Sequence, residues 1–130
     1  MLEVAGKQKL GWRWLDGGDI YNFSCPDLRA MDRLWVKYSD GRFGFSVQKK
    51  IYQSLGGTKE YDMEVWKAYE TAIGWRKNDK KKENNGDYSQ RTFNSNGSSG
   101  HLPDQHGWGG MGVAPGLVVL FFSHAETCAL

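Results

Sequence analysis

The stretch from Ser24 to Gly74 confines this chain to a helical fold, because three amphipathic segments follow one another there with glycine stops between them. Ser24-Cys25-Pro26-Asp27 reads as a helix start: a serine cap, proline in the first turn, and an acid near the positive end of the dipole. Helical spacing then puts Leu28, Met31, Leu34, Trp35 and Tyr38 on one stripe, which Ser39-Asp40-Gly41 ends. A second helix is predicted over Phe45 to Leu55, where Val47, Ile51 and Leu55 recur at every fourth position before Gly56-Gly57 stops it. A third, over Tyr61 to Ile73, carries Met63, Val65, Trp66, Tyr69 and Ile73 and closes at Gly74. Three such segments joined by short connections predict an all-α bundle.

The flanking regions are less regular. Met1 to Lys9 reads as the tail of a helix with no cap before it, and Trp12 to Ile20 as a Gly-Gly turn followed by Asp19. From Arg76 to Gly100 the chain is rich in Lys, Asn, Ser and Gly, and Tyr88 and Phe93 are its only aromatics. Such a stretch cannot bury enough apolar surface to fold alone, so residues 76–100 are expected to form a long flexible loop. His101 to Gly116 is irregular, and Leu117 to Phe122 reads as a last, apolar helix.

At 130 residues the chain suits one domain, 1–130, with a real core. Seventeen basic residues against fifteen acidic leave a net charge of +2, too balanced for a nucleic-acid partner. Six Trp are many for this length and suit either a tight core or a pocket for a flat apolar ligand. Cys25 and Cys128 show neither metal spacing nor a CxxC, and read as two buried thiols in a reducing compartment. No run is long enough to span a bilayer, and the N-terminus has neither a signal-peptide core nor a transit-peptide composition. The Lys80-Lys81-Lys82 run reads as a solvated loop.

Motifs for catalysis are missing: there is no GxSxG elbow, P-loop, HExxH or zinc-type Cys/His set. His101 and His106 are spaced as no standard metal site requires, and read as two solvated imidazoles in a loop. What stands out is Arg29, one position past Leu28 on the first helix, and Arg42 in the turn GRFG beside Phe43 and Phe45. Two guanidiniums near exposed aromatics suit a flat hydrophobic acid, with rings stacking on it and Arg forks holding carboxylates. Equally, both arginines suit ordinary surface ion pairs, which contribute little.

MLEVAG, NFSCPDLRAMDRLWVKYSDGRFGFSVQKKIY, SLGGTKEYDMEVW, GWRKN, TFN with GHLP, and the closing FFSHAETC together cover most of the chain. In that order they closely resemble the tetrapyrrole-binding domain of the "genomes uncoupled four" family. The resemblance implies an all-α, multihelical cupped-hand bundle with a long flexible loop over the ligand pocket. It implies a non-enzymatic regulator that binds protoporphyrin IX or Mg-protoporphyrin IX and stimulates magnesium chelatase, with the chelatase large subunit as partner. The ligand is then expected at Arg29, Arg42, Phe43, Phe45, Trp75, Phe93 and His124, with Arg29 and Arg42 on the propionates and no metal site in the protein. Cyanobacterial cytoplasm or plastid stroma follows as the location, with at most peripheral membrane association. The alternative within the same fold is a signalling or interaction domain, as in relatives fused to protein kinases, with weak or no porphyrin binding.

Some positions depart from the family pattern. The family domain has further helices before MLEVAG, whose lack is expected to expose an apolar face. WRWLDGGD carries two extra residues, and Lys and Asn follow GWRKN where the family has a Trp. Ser98-Ser99 replaces an Ala-Pro pair, and His124 stands where Arg is frequent, which makes an anion contact there pH-dependent.

Overall fold

A computed structural model describes residues 17–75, 97–103 and 115–130. Among the described residues five helices form in chain order: α1 (Gly17–Tyr21), α2 (Cys25–Tyr38), α3 (Phe45–Ser54), α4 (Met63–Ala72) and α5 (Pro115–Thr127). No strand occurs among the described residues, so the fold is all-α as expected. The expected Gly-Gly turn is instead the start of α1, whose Ile20 is fully buried and whose body packs on α5.

The central element is α5. It is apolar on several sides, burying Val118, Val119, Phe121, Phe122 and Ala125, and it meets α1 and α3, while α3 in turn meets α4. The core around it is aromatic. Phe121 sits edge-on to Phe45 and Phe23 at centroid distances of 4.9 and 5.8 Å. Tyr69 packs with Tyr52, Trp66 and Phe122 at 5.6, 5.1 and 5.8 Å. Edge-to-face pairs of this kind add about 0.5–1.5 kcal/mol each beyond the area they bury. No helix among the described residues is long and apolar enough to cross a membrane.

The expected helix bounds match closely for α2, α3 and α4. Ser24 does take the N-cap position of α2, with Pro26 in the first turn, but its side chain makes no capping bond. Asp62 caps α4 fully, its Oδ1 accepting from the amides of Glu64 and Val65 at 2.9 and 3.0 Å.

Which faces are buried is where the periodicity misleads. On α2 only Leu28 and Asp32 are buried, whereas Leu34 and Tyr38 are 56% and 78% exposed. At about 100° per residue, Met31, Leu34, Trp35 and Tyr38 lie to one side of the Cys25–Leu28–Asp32 line that faces the core. On α3 Ile51 packs against the core and Val47 is partly buried, but Leu55 is exposed, and Phe45, Gln48, Lys49 and Tyr52 are the buried residues. The polar members are there because they have partners. Gln48 bonds to a loop, and Lys49 Nζ donates to the main-chain oxygen of Leu130.

Candidate functional site

Two corners, one at each end of α2, collect the residues that chemistry singled out. The first is the turn from α2 into α3. Gly44, at φ +132°, occupies backbone space that excludes a side chain: a Cβ there would lie 2.8 Å from Asp32 Oδ1 and 3.0 Å from Val36 Cγ2. The close approach lets Asp32 Oδ1 accept from Ser46 N at 2.8 Å, so a carboxylate from α2 caps the N-terminus of α3.

Residues 97–103 are pinned onto this corner. Gly44 N donates to Leu102 O at 3.0 Å and Gly100 N to Arg42 O at 2.7 Å. Gln48 Nε2 donates to both Gly100 O and Pro103 O, at 3.0 and 2.7 Å. Trp75 Nε1 donates to His101 O at 2.8 Å, and His101 Nδ1 lies 2.8 Å from Ile73 O. The expectation of a flexible loop through Gly100 is therefore corrected at its end, where 97–100 is part of the frame. His101 is likewise buried against this frame rather than solvated. His106, Phe93 and the rest of the expected loop lie outside the described residues.

Arg42 crowns the corner, its guanidinium donating to Gly97 O and lying 5.4 Å from the centroid of the Phe43 ring. Phe43 and Phe45 were expected as exposed stacking surfaces, and Trp75 as a further ligand contact. They are instead 4%, 2% and 0% exposed, Phe45 against Phe121 and Trp75 against Tyr69. Their apolar area is worth more in the core, about 1.5–3 kcal/mol per fully buried ring.

The second corner is the start of α2 against the end of α5. Arg29 Nη1 donates to Cys128 O at 3.1 Å. His124 Nε2 lies 2.9 Å from Phe23 O and 3.6 Å from Cys128 Sγ, and Tyr21 stands edge-on to its ring at 6.5 Å. Cys25 and Cys128 form a disulfide, with Cα atoms 5.0 Å apart, which corrects the expectation of two separate thiols. Sequence gave no sign of it, since 103 positions separate the pair. The expected site residues are thus divided. Arg42 and Phe43 belong to the first corner and Arg29 and His124 to the second, with most of the length of α2 between them, about 15 Å at 1.5 Å per residue.

A shallow groove of about 210 Å³ lies apart from both, where Tyr52, Thr58, Lys59, Phe122 and Glu126 meet. Burial pushes the Tyr52 phenol above its ordinary pKa, so it is neutral there and donates to Thr58 O at 3.2 Å.

Comparison with known proteins extends this picture. A family model described as GUN4-like matches residues 1–118. A chloroplastic protein of Arabidopsis thaliana named as tetrapyrrole-binding is 38% identical over 52 residues, 40% of this chain and 20% of that protein. A Ycf53-like protein of Synechocystis is 29% identical over 119 residues, 90% of this chain and 46% of that one. The chain thus spans less than half the length of the curated relatives it matches. Among solved structures, the ligand-free structure of Arabidopsis thaliana GUN4 superposes with a TM-score of 0.66 at 26% identity, covering 95% of this chain and 77% of that one.

Proposed function

The chain belongs to the GUN4-like family, and from that premise we propose a non-catalytic, regulatory module that binds a protoporphyrin-type tetrapyrrole. The observation that carries the reading is the family match together with a relative named as tetrapyrrole-binding. The finer proposal is that the ligand is protoporphyrin IX or Mg-protoporphyrin IX, and that the module stimulates magnesium chelatase through its large subunit. Residues 1–130 act as one domain, in plastid stroma or cyanobacterial cytoplasm.

In this reading Arg29 and Arg42 are the anion-binding residues, because a guanidinium fork matches a carboxylate in a way few groups do. Phe43 lies under Arg42 as a floor, and Phe45 and Trp75 are buried in the core. Contact with the flat face of the macrocycle falls to the exposed side of α2, where Leu34 and Tyr38 present apolar surface. Phe93 would join from beyond the described residues, and His124 would add a hydrogen bond beside Arg29.

Titration with a water-soluble deuteroporphyrin, followed by quenching of tryptophan emission, tests this directly. Saturable quenching at micromolar ligand is expected. The Arg29→Ala, Arg42→Ala double variant should weaken it about tenfold or more, since each charge-assisted bond contributes about 1.5–3 kcal/mol. An unsaturable response from a folded protein, or a double variant that binds like the original, rules the porphyrin site out. In that event the exposed apolar side of α2 favours the second reading, a protein-interaction domain of the same fold. A chelatase assay with and without the module then tests the regulatory half.

A further inference from the structure

We propose that Cys25, His124 and Cys128 form, once their disulfide is reduced, a binding site for a thiophilic divalent cation of the Zn2+ class. The site shares His124 with the tetrapyrrole reading but rests on the sulfurs, and uses donors that α2 and the end of α5 bring together. Both sulfurs and an imidazole nitrogen lie within 4.8 Å of one another. His124 in α5 and Cys128 just past its end are one turn apart, with Cys128 N donating to His124 O at 3.0 Å, the i,i+4 spacing that aims two donors from the same face. Cys25 enters as the first residue of α2.

The third donor already faces the sulfurs. His124 Nε2 lies 3.6 Å from Cys128 Sγ, and Phe23 O, 2.9 Å from the same nitrogen, fixes the ring in that direction. Cation binding moves the imidazole proton to Nδ1 and gives up the Nε2–H bond to Phe23 O, so the Nε2 lone pair turns from that carbonyl to the cation beside the sulfurs. Two thiolates balance the charge of a divalent cation. Tetrahedral coordination with bonds of about 2.3 Å holds two thiolates about 3.8 Å apart. With the Cα atoms 5.0 Å apart, side-chain rotation reaches that separation while the helices stay in place. Tyr21, beside the imidazole, is largely exposed, so water has access to the fourth position.

Disulfide and cation exclude each other. A dithiol reductant attacks one sulfur through its thiolate, passes through a mixed disulfide, and leaves as its own cyclic disulfide. Two electrons and two protons go to the protein, giving two thiols. The cation then displaces both thiol protons to solvent and binds the thiolates. The oxidised protein has no sulfur lone pair to offer as thiolate, which makes cation binding conditional on reduction.

Cobalt is the probe, because thiolate-bound Co2+ absorbs in the near ultraviolet and its visible bands intensify in tetrahedral geometry. The whole chain is reduced with a dithiol, freed of reductant under anaerobic conditions and titrated with Co2+. A charge-transfer band saturating at one equivalent, bleached by Zn2+ and lacking in the oxidised protein, is expected. His124→Ala keeps both thiols, and it should lower affinity about tenfold or more, at least the cost of losing an outer-shell partner. Cys25→Ser should remove the band. If that variant fails to fold, the reduced, oxidised and His124→Ala proteins decide the matter, with helix content checked by circular dichroism. No band in the reduced, folded protein overturns the proposal, as does a His124→Ala variant with the spectrum and affinity of the original.

Discussion

At its C-terminal end α2 passes into α3 through main-chain geometry: a glycine at a forbidden φ, a carboxylate capping the next helix, and a loop fixed by bonds to carbonyls. At its N-terminal end the same helix is tied to the end of α5 by side chains, a disulfide that can be opened, an imidazole and a guanidinium. The difference separates two kinds of residue. Those of the first corner cannot vary without altering the frame that presents Arg42. Those of the second can be oxidised, reduced or protonated while the frame stands. A regulator has use for both, a fixed surface and an adjustable tie.

Breaking the adjustable tie should give the largest effect. The disulfide closes a loop spanning 103 positions, for which the entropy of the unfolded chain predicts about 4–5 kcal/mol and measured cases give roughly 2–5. Urea unfolding of reduced against oxidised protein should therefore show a loss of about 4 kcal/mol. The contacts of Arg29 with Cys128 and of Lys49 with Leu130, and the packing of α5 on α1, involve no sulfur and are expected to outlast reduction. Helix content should consequently be unchanged at zero urea. A loss below about 1 kcal/mol would mean that packing alone fixes the second corner, and the contrast between the corners would fail.

Breaking the rigid corner comes next. Gly44→Ala forces a side chain into φ +132° and a Cβ against Asp32 and Val36. Strain of about 1–3 kcal/mol and overpacking of about 1–3 kcal/mol add to roughly 3 kcal/mol or more. The cost should be the same in oxidised and reduced protein, because sites that share no partner add. Thermal unfolding of both forms checks this. A cost that depends on the disulfide would show the two corners to be coupled through α2.

The contrast also explains what could be read from the sequence. Helices α2, α3 and α4 were legible because their stops are local: Gly41, Gly56 and Gly74 all take positive φ, which the residue type announces. Ile73 and Trp66 were legible as core for the same local reason. The faces of α2 and α3 were not, because Asp32, Gln48 and Lys49 are buried only through partners far along the chain, and hydropathy alone assigns them to solvent. Leu34 and Tyr38 fail in the opposite direction, apolar yet exposed. Phe43 was found as an aromatic near an arginine and Trp75 through the family resemblance, but whether either ring is floor or surface depends on residues 97–103. The disulfide had no local signal, its two cysteines standing at opposite ends of the described chain.

The smallest prediction uses the one place where the second corner adopts a glycine-type conformation without a glycine. Helix α5 ends with Ala129 at φ +60°, and Leu130 N donates back to Ala125 O at 3.0 Å, the bond pattern of a left-handed helix stop. A side chain in that region costs about 1–2 kcal/mol, and glycine removes the cost while adding freedom to the unfolded chain. Ala129→Gly should thus stabilise the protein by about 0.5–1 kcal/mol, read as a higher urea midpoint with an unchanged slope. The gain should appear in both redox states, because the stop is made by the backbone and not by the sulfur beside it. A gain confined to the oxidised protein would mean that the crosslink at Cys128, rather than the helix stop, is what holds residue 129 in its left-handed conformation.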